Sequence, residues 1–456
     1  MSQILKIDSA DALKKLIIER DMRQVKVGVV DMDGVMAGKY MSRDKFFASL
    51  EGGFGFCDVL FGWDVNNSLY DNTTLTGWKN GYADAMVRIL PETARELPLE
   101  DSMLWVQGEL MGRLEGICPR GVLRRVLKRA EDMGLFAVAG FEYEFLAADE
   151  DGESLLAKNY RPIKPLGRGY SGYSALRNTV NADFYRGLID VCEHMGITLE
   201  GFHEESGPGA LEVALCVDAA LPAADKAATF KTFSKAVAQL QGRMLSFMAK
   251  WDESYPGQGG HIHISLQNAE GKNLFYDAEG KGHMSEMQRH FIGGVQQLMP
   301  HIMCMAAPNV NSFRRLVPGY WAPTNATWGI DNRTVSLRVI EGSAKSQRVE
   351  YRLPGADANP YLALASALAA GLHGIQHKIE PDAPVTGNGY AQEVAPHRRL
   401  SRTLWEAAQQ LKASEVARDW FGDDFVDHYA ATREWEEREF QKYVTDWELK
   451  RYFEVI

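Results

Sequence analysis

The sequence predicts a body that mixes strands and helices, α+β or α/β in class, behind a small N-terminal domain. Three observations carry this expectation. Runs of strand period, such as QVKVGVVDMDG, alternate with longer runs of helical period. Several helical runs begin or end on residues that suit helix termini. With 456 residues, 45% hydrophobic and 24% charged, the chain can build a substantial core in more than one domain.

Taken in order, the first helix should run from a Ser9 N-cap to about Arg20, followed by the strand QVKVGVVDMDG. Glycine-rich connections such as EGGFGFCDVLFGWDVNNS come next. ICPRGVLRRVLKRAEDMG reads as a helix, with Pro119 in the first turn and Gly134 as a C-terminal cap. The domain boundary is placed just before it, separating residues 1–115 from 116–456. On that helix Arg124, Arg125, Lys128 and Arg129 read as a solvated face. Beyond it follow the strand FAVAGFEYEFLAA, a helix around 181–195, the strands ITLEGFHEES and ALEVALC, a helix over 223–250 and the strand GHIHISLQ. Helices are expected at 284–304, 359–378 and 401–412. The run YLALASALAAGLHGI is too short and too rich in Ala and Gly for a membrane span, and reads as a buried helix. Residues 149–180 lack periodicity and read as a long loop.

Charge and cysteine use narrow the function. A formal net charge of −11 argues against nucleic-acid or membrane-surface binding. Cys57, Cys118, Cys192, Cys216 and Cys304 are scattered and form no Cys-x-x-Cys pair, which suits reduced thiols. The N-terminus shows no signal-peptide core, so a cytoplasmic protein is expected.

Three strands then offer chemistry on single faces. In GFEYEFL, Glu142 and Glu144 are two apart and share a strand face, where like charges need a cation between them. LEGFHEESGPGALEV sets Glu200, Glu204, Glu205 and Glu212 around a Gly-Pro-Gly turn that can fold its strands side by side. GQGGHIHISLQ places His261, His263 and Ser265 opposite Ile262, Ile264 and Leu266. Arg348, Glu350 and Arg352 alternate in RVEYR. A ligand set dominated by carboxylates selects a hard ion, Mg²⁺ or Mn²⁺. Converging, these faces would form a polar funnel in which metals bridge phosphates and arginines neutralise transferred charge. No Walker or Rossmann glycine loop is present, so a phosphate donor would be held by metals and arginines. The residues alone reach a metal-dependent phosphoryl-transfer or ligase site.

At these positions the chain resembles the glutamine synthetase family. FEYEF, HEESGPGALE, GQGGHIHIS, RRLVPGYWAP, DNRTVSLRV and RVEYRLPGADANPYL follow the family's motif order. The resemblance implies an α+β fold: a small β-grasp-like N-terminal domain and a catalytic domain with a funnel-shaped, mainly antiparallel sheet surrounded by helices. It implies rings, expected as a homododecamer, with sites shared between subunits, and ATP, Mg²⁺ or Mn²⁺, L-glutamate and an amine as ligands. Glu142, His261 and Glu350 match ligands of the metal near the ATP phosphates; Glu144, Glu205 and Glu212 match those of the second metal. Glu200, Ser265, Lys345 and Arg348 match nucleotide-contacting positions, and His263 a phosphate-side one. Arg315 matches the partner of the substrate α-carboxylate, and Gly257 falls on the substrate side. Arg333, Arg338 and Arg352 match the arginines around the transferring phosphate, and Asp64 the aspartate that deprotonates the incoming amine.

The departures are as informative. Trp321 stands where ammonia-using members carry a glutamate, Pro256 where they tend to have asparagine, and Ala210-Leu211 where glutamine is usual. The resemblance is to the branch that joins glutamate to substituted amines, and Trp321 favours an apolar or aromatic amine over a polyamine. The rivals are an ordinary ammonia-using glutamine synthetase and a non-catalytic structural or regulatory member.

Overall fold

The computed structural model describes residues 5, 7–101, 103–170 and 172–456. Two sheets organise them. The first contains β1 (Gln24–Val30), β2 (Met36–Ser42), β3 (Phe54–Cys57), β4 (Asp84–Ile89), β5 (Arg95–Glu96) and β6 (Leu104–Leu110). Their order is β2-β1-β6-β4-β3, with β5 also on β6. β1 and β6 run parallel and the remaining pairs antiparallel. The alternation in β1 turns Val25, Val27 and Val29 into the core, near the helices Ala10–Glu19 and Arg43–Gly52. Ser9 caps the first of these by accepting from the Ala12 amide at 3.3 Å. The expected glycine-rich connection after Gly52 contains β3, which pairs with β4 from Phe54 to Cys57.

The second sheet holds β7 (Phe136–Ala148), β8 (Leu199–Glu204), β9 (Ala210–Leu215), β10 (Asp218–Ala219), β11 (Met244–Ser246), β12 (Gly260–Gln267), β13 (Trp328–Ile330), β14 (Leu337–Ile340) and β15 (Arg348–Tyr351). The order is β13-β14-β15-β12-β7-β9-β8, with β10 and β11 also on β7. Every pair is antiparallel except β13 with β14. One face buries Phe141, Tyr143, Phe145, Ile262, Ile264, Val349 and Tyr351. The intervening residues are the acids, histidines and arginines, so the sheet's period of two puts the chemistry on the other face.

Helices cover the apolar side. Pro360–His377 is buried along nearly its whole length and packs on Glu286–Ala306. The two approach so closely at Gly294 and Gly374 that a Cβ on Gly294 would lie 2.6 Å from the Gly374 Cα. Among the described residues no helix is long and apolar enough to cross a membrane.

Three expectations need correction. The stretch 149–180, expected as a long loop, contains the helices Gly152–Ala157 and Ala175–Val180. The helix expected over 223–250 spans Ala220–Leu240; Gly242, at φ +67°, reverses the chain, and β11 then pairs with the end of β7. The arginines of the helix Pro119–Asp132 are not a solvated face. Arg124 pairs with Glu109 and Glu115 at 2.9 Å each, and Arg129 pairs with Asp419 and lies 3.6 Å over the Trp420 ring. Arg125 donates to the Glu115 and Gly116 carbonyls, which leaves Lys128 as the solvated member. The helix packs chiefly on Pro360–His377, with β6 and the helix Glu415–Phe421 also against it. The C-terminal helices Glu415–Phe421, Asp423–Phe440 and Asp446–Tyr452 had no expectation attached to them.

Buried polar ties lock the N-terminal sheet to the body. Arg120 donates to Glu109 at 2.7 Å and to Asp225 at 2.9 Å, and the Tyr361 hydroxyl donates to Asp225 at 2.8 Å. At the other end of the interface Arg433 reaches Asp33 at 2.6 Å. Full pairing is what makes such buried charge tolerable.

Candidate active site

Strand register assembles the polar face. His261 lies opposite Glu142 across β12 and β7, and His263 opposite Glu350 across β12 and β15. Glu350 in turn faces Arg338 on β14. On the other flank Glu144 faces Glu212, which faces His203 on β8. The Gly-Pro-Gly turn that joins β8 to β9 makes this possible, with Gly207 and Gly209 at φ +138° and +66°.

Two groups of possible metal ligands result. Glu142, His263 and Glu350 offer atoms within 4.8 Å of one another, and so do His203, Glu205 and Glu212. In the first group His263 Nε2 is 2.9 Å from Glu142 Oε1. His261 stands beside it, with Nδ1 3.5 Å from Glu350 and 3.8 Å from Glu142. Glu144 is adjacent to the second group but accepts from the Gly259 amide at 2.7 Å. In both clusters carboxylates outnumber imidazoles, and that oxygen-rich balance suits a hard divalent cation. The electrostatics agree. Burial and the neighbours Glu144, Glu142 and Glu205 push Glu212 up to about 9, a repulsion that a cation would relieve. Glu142 behaves oppositely: against its burial, His261 and His263 hold its pKa well below the ordinary range.

The rest of the expected site distributes around these clusters. A cavity of about 380 Å³ is lined by Glu142, Glu200, His263, Ser265, Lys345 and Arg348, with Val138, Phe141, Leu215 and Val217 supplying apolar wall. Arg348 Nε donates to His263 Nδ1 at 3.1 Å, which fixes that ring. Glu350, 1% exposed, accepts from Arg338 at 3.0 Å and from Arg352 at shorter range. Arg315 is buried, donating to the Leu353 and Arg352 carbonyls, with Nη2 3.4 Å from His261 Nε2. Gly257 allows this approach, since a Cβ there would lie 2.6 Å from Arg315 Cγ. Arg333 and Trp321 line a second cavity of about 470 Å³ with Lys281 and Asp331. The Trp321 backbone is left-handed, φ +61°, and its carbonyl accepts from Arg352 at 3.3 Å. A tryptophan in that region is strained by about 1–2 kcal/mol.

Asp64 stands apart. It accepts from the Asn66 and Ser68 amides and from the Trp435 indole at 3.2 Å, and none of these contacts reaches the clusters. Two neighbours of the clusters were not singled out from the sequence. His203 Nε2 lies 3.5 Å from Glu212, and the Tyr173 ring packs against His203 with centroids 4.5 Å apart and planes tilted by 32°. The Tyr173 phenol is raised by burial and by Glu205 and Glu212, while Arg333 lowers it, so it sits between acid and arginine. His203 could have been found: it stands two residues before Glu205, the spacing that puts side chains on one face of an extended segment.

The raised Glu212 makes a prediction about pH. With its folded pKa near 9, above the ordinary 4.5, the metal-free fold keeps a proton that the unfolded chain has lost. Its contribution to stability therefore falls as pH rises from about 4.5 through about 9. A bound cation displaces the proton and removes that loss. The rise in Tm on adding Mg²⁺ should grow between pH 6 and pH 9; a constant rise across that range would contradict the assignment.

Comparison with known proteins follows the same lines. The family model described as "Glutamine synthetase, catalytic domain" matches residues 116–452. The "Type-1 glutamine synthetase 2" of Dictyostelium discoideum is 42% identical over 438 residues, 95% of this chain and 84% of that protein. The "Glutamate--isopropylamine ligase" of a Pseudomonas species is 36% identical, covering 100% of this chain and 98% of its own. The "Gamma-glutamylethanolamide synthetase GlnA4" of Streptomyces coelicolor is 37% identical over 97% of this chain and 95% of its own. Among solved structures, "Apo GmaS without ligand" superposes with a TM-score of 0.84 at 26% identity, over 97% of this chain and 99% of that one.

Proposed function

This chain belongs to the glutamine synthetase family, and from that premise we propose that it joins the γ-carboxylate of L-glutamate to an organic amine other than ammonia. It is an ATP-dependent carbon–nitrogen ligase that forms γ-glutamyl amides. One observation carries the reading: two carboxylate–histidine clusters stand side by side between a nucleotide-sized cavity and a row of arginines. The names of two relatives, acting on isopropylamine and forming an ethanolamide, support an organic amine, as does tryptophan at position 321.

In the first step the glutamate γ-carboxylate oxygen attacks the terminal phosphorus and ADP leaves. In the second the neutral amine nitrogen attacks the acyl carbon, inorganic phosphate leaves, and the amine loses a proton to a base. Mg²⁺ or Mn²⁺ held by Glu142, His261, His263 and Glu350, and by Glu144, His203, Glu205 and Glu212, would neutralise charge on the transferring phosphate. Arg315 pairs with the α-carboxylate, and Gly257 leaves room for it. Arg333, Arg338 and Arg352 stabilise the spreading negative charge. Glu200, Ser265, Lys345 and Arg348 hold the nucleotide. Asp64 serves as the base; because it faces Trp435 in its own chain, a neighbouring subunit would bring it to the site. A ring assembly with sites shared between subunits goes with that reading, expected as a homododecamer in the cytoplasm.

An amine panel tests the reading. With ATP, glutamate and Mg²⁺, phosphate release should be fastest with an apolar or aromatic amine such as isopropylamine or aniline. Ammonia outpacing every organic amine would return the protein to ordinary glutamine synthesis.

A further inference from the structure

Three segments supply the residues expected to meet glutamate and the amine: 255–258 with Gly257, 311–315 with Arg315, and 318–322 with Trp321. They are connected through Lys250. Its backbone is clamped by the Asn311 side chain, which accepts from the Lys250 amide at 2.9 Å and donates to the Lys250 carbonyl at 2.8 Å. Asn311 is the residue immediately before the short helix Ser312–Arg315. The Lys250 ammonium donates to the Tyr255 carbonyl, two residues before Gly257, and lies 4.4 Å over the Tyr320 ring, next to Trp321.

The placement is unusual for lysine. The residue is only 8% exposed, and among the described residues no carboxylate lies within ion-pairing distance of it. Its charge is answered by a carbonyl and an aromatic face, and burial lowers its pKa although Asp252 and Glu253 oppose this. Such a group holds loops by donating in fixed directions. The Tyr255 ring extends the tie, stacking on Trp251 at 5.3 Å and meeting the edge of Tyr170 at 6.0 Å.

We propose that Lys250 is a positioning residue that sets the glutamate-side loop, the Arg315 helix and the Trp321 loop relative to one another, so that both non-nucleotide substrates are placed together. The kinetic part rests on the ligase reading above; the structural part does not. The nucleotide cavity is built from other segments, around Glu200, Ser265 and 345–348, and is independent of this tie.

Hydrogen–deuterium exchange on the full chain decides the structural part without any turnover. Lys250→Met, which removes the ammonium but keeps the backbone that Asn311 grips, should speed exchange about tenfold or more in peptides covering 251–258 and 318–323, leaving β12 and β15 unchanged, while Asn311→Ala should do the same for 309–316. Lys250→Arg, able to donate to the same carbonyl and stack on the same ring, should restore protection. Unchanged exchange of 251–258 and 318–323 in Lys250→Met, no recovery with arginine, or unchanged exchange of 309–316 in Asn311→Ala overturns the proposal. Should Lys250→Met loosen the whole body, Tyr320→Leu decides instead: faster exchange confined to 318–323 supports it and unchanged exchange overturns it. In turnover, Lys250→Met should raise the KM for glutamate and for the amine together by about ten- to a hundredfold, while the KM for ATP stays within about twofold. Equal rises for all three overturn the kinetic part. Wild-type protein inactive with every amine would defeat the ligase reading, and the exchange result would still stand on its own.

Discussion

Replacing Glu350 with alanine is expected to lower metal-dependent phosphate release by at least about 10³-fold, which corresponds to roughly 4 kcal/mol of lost transition-state stabilisation. The size follows from how many roles converge on one carboxylate. Glu350 is buried, belongs to a candidate metal cluster, and accepts from both Arg338 and Arg352. Burial opposes its ionisation, yet Arg352, His261 and His263 hold it down to about 2, so it is anionic throughout the working range. Alanine would remove a candidate metal ligand and leave two arginines without their shared partner. Stripping one partner from a buried charge network costs about 3–5 kcal/mol, so the Tm should fall as well. Glu350→Gln separates the two effects. The amide retains shape and can accept from one arginine but is a poor ligand for a hard cation, so turnover should drop nearly as far while Tm drops less. Turnover above about a tenth of wild type in the alanine variant would remove Glu350 from the reaction.

That network was legible in the sequence because strand geometry is local. Glu142 with Glu144, His261 with His263, and Arg348 with Glu350 each read as pairs on a face from spacing alone. What spacing could not give is register, a property of two strands. His263 opposite Glu350, and Glu144 opposite Glu212, depend on where β12, β15 and β9 begin to pair. Loop-borne parts were less visible still. Tyr173 lies in the aperiodic stretch 149–180 and takes up its position through a left-handed backbone, φ +58°. Lys250 lay at the end of an expected helix that in fact stops at Leu240, so its reach to Tyr255 and Tyr320 had no sequence signature. The same limit explains the arginines after Pro119: helical period identifies a charged face, but the acids and ring that cover it come from Glu109, Glu115, Asp419 and Trp420.

Changing Trp321 to glutamate is expected to shift the ratio of kcat/KM for ammonia over that for the preferred organic amine by about a hundredfold, roughly 2.7 kcal/mol. The position is well suited to decide between them. Its carbonyl is fixed by Arg352, and the Ala322 carbonyl beside it accepts from the Tyr390 hydroxyl at 3.1 Å, so the loop is held by backbone contacts that a new side chain leaves in place. The side chain shares its cavity with Arg333. An indole there offers apolar surface and a π face, which favour an amine carrying a hydrocarbon group. A carboxylate offers a counter-charge for ammonium and an acceptor for its proton, and it withdraws the surface on which a hydrocarbon group could rest. Two gains in opposite directions make the ratio, rather than either rate alone, the sensitive quantity. Trp321→Leu divides them: apolar surface remains without ring or charge, so ammonia should gain nothing while an aromatic amine loses several-fold more than an alkyl amine does. Glutamate and ATP should keep their KM values in both variants, since Arg315 and the nucleotide cavity are untouched. An unchanged ammonia-to-amine ratio in Trp321→Glu would show that the amine is chosen elsewhere on the funnel.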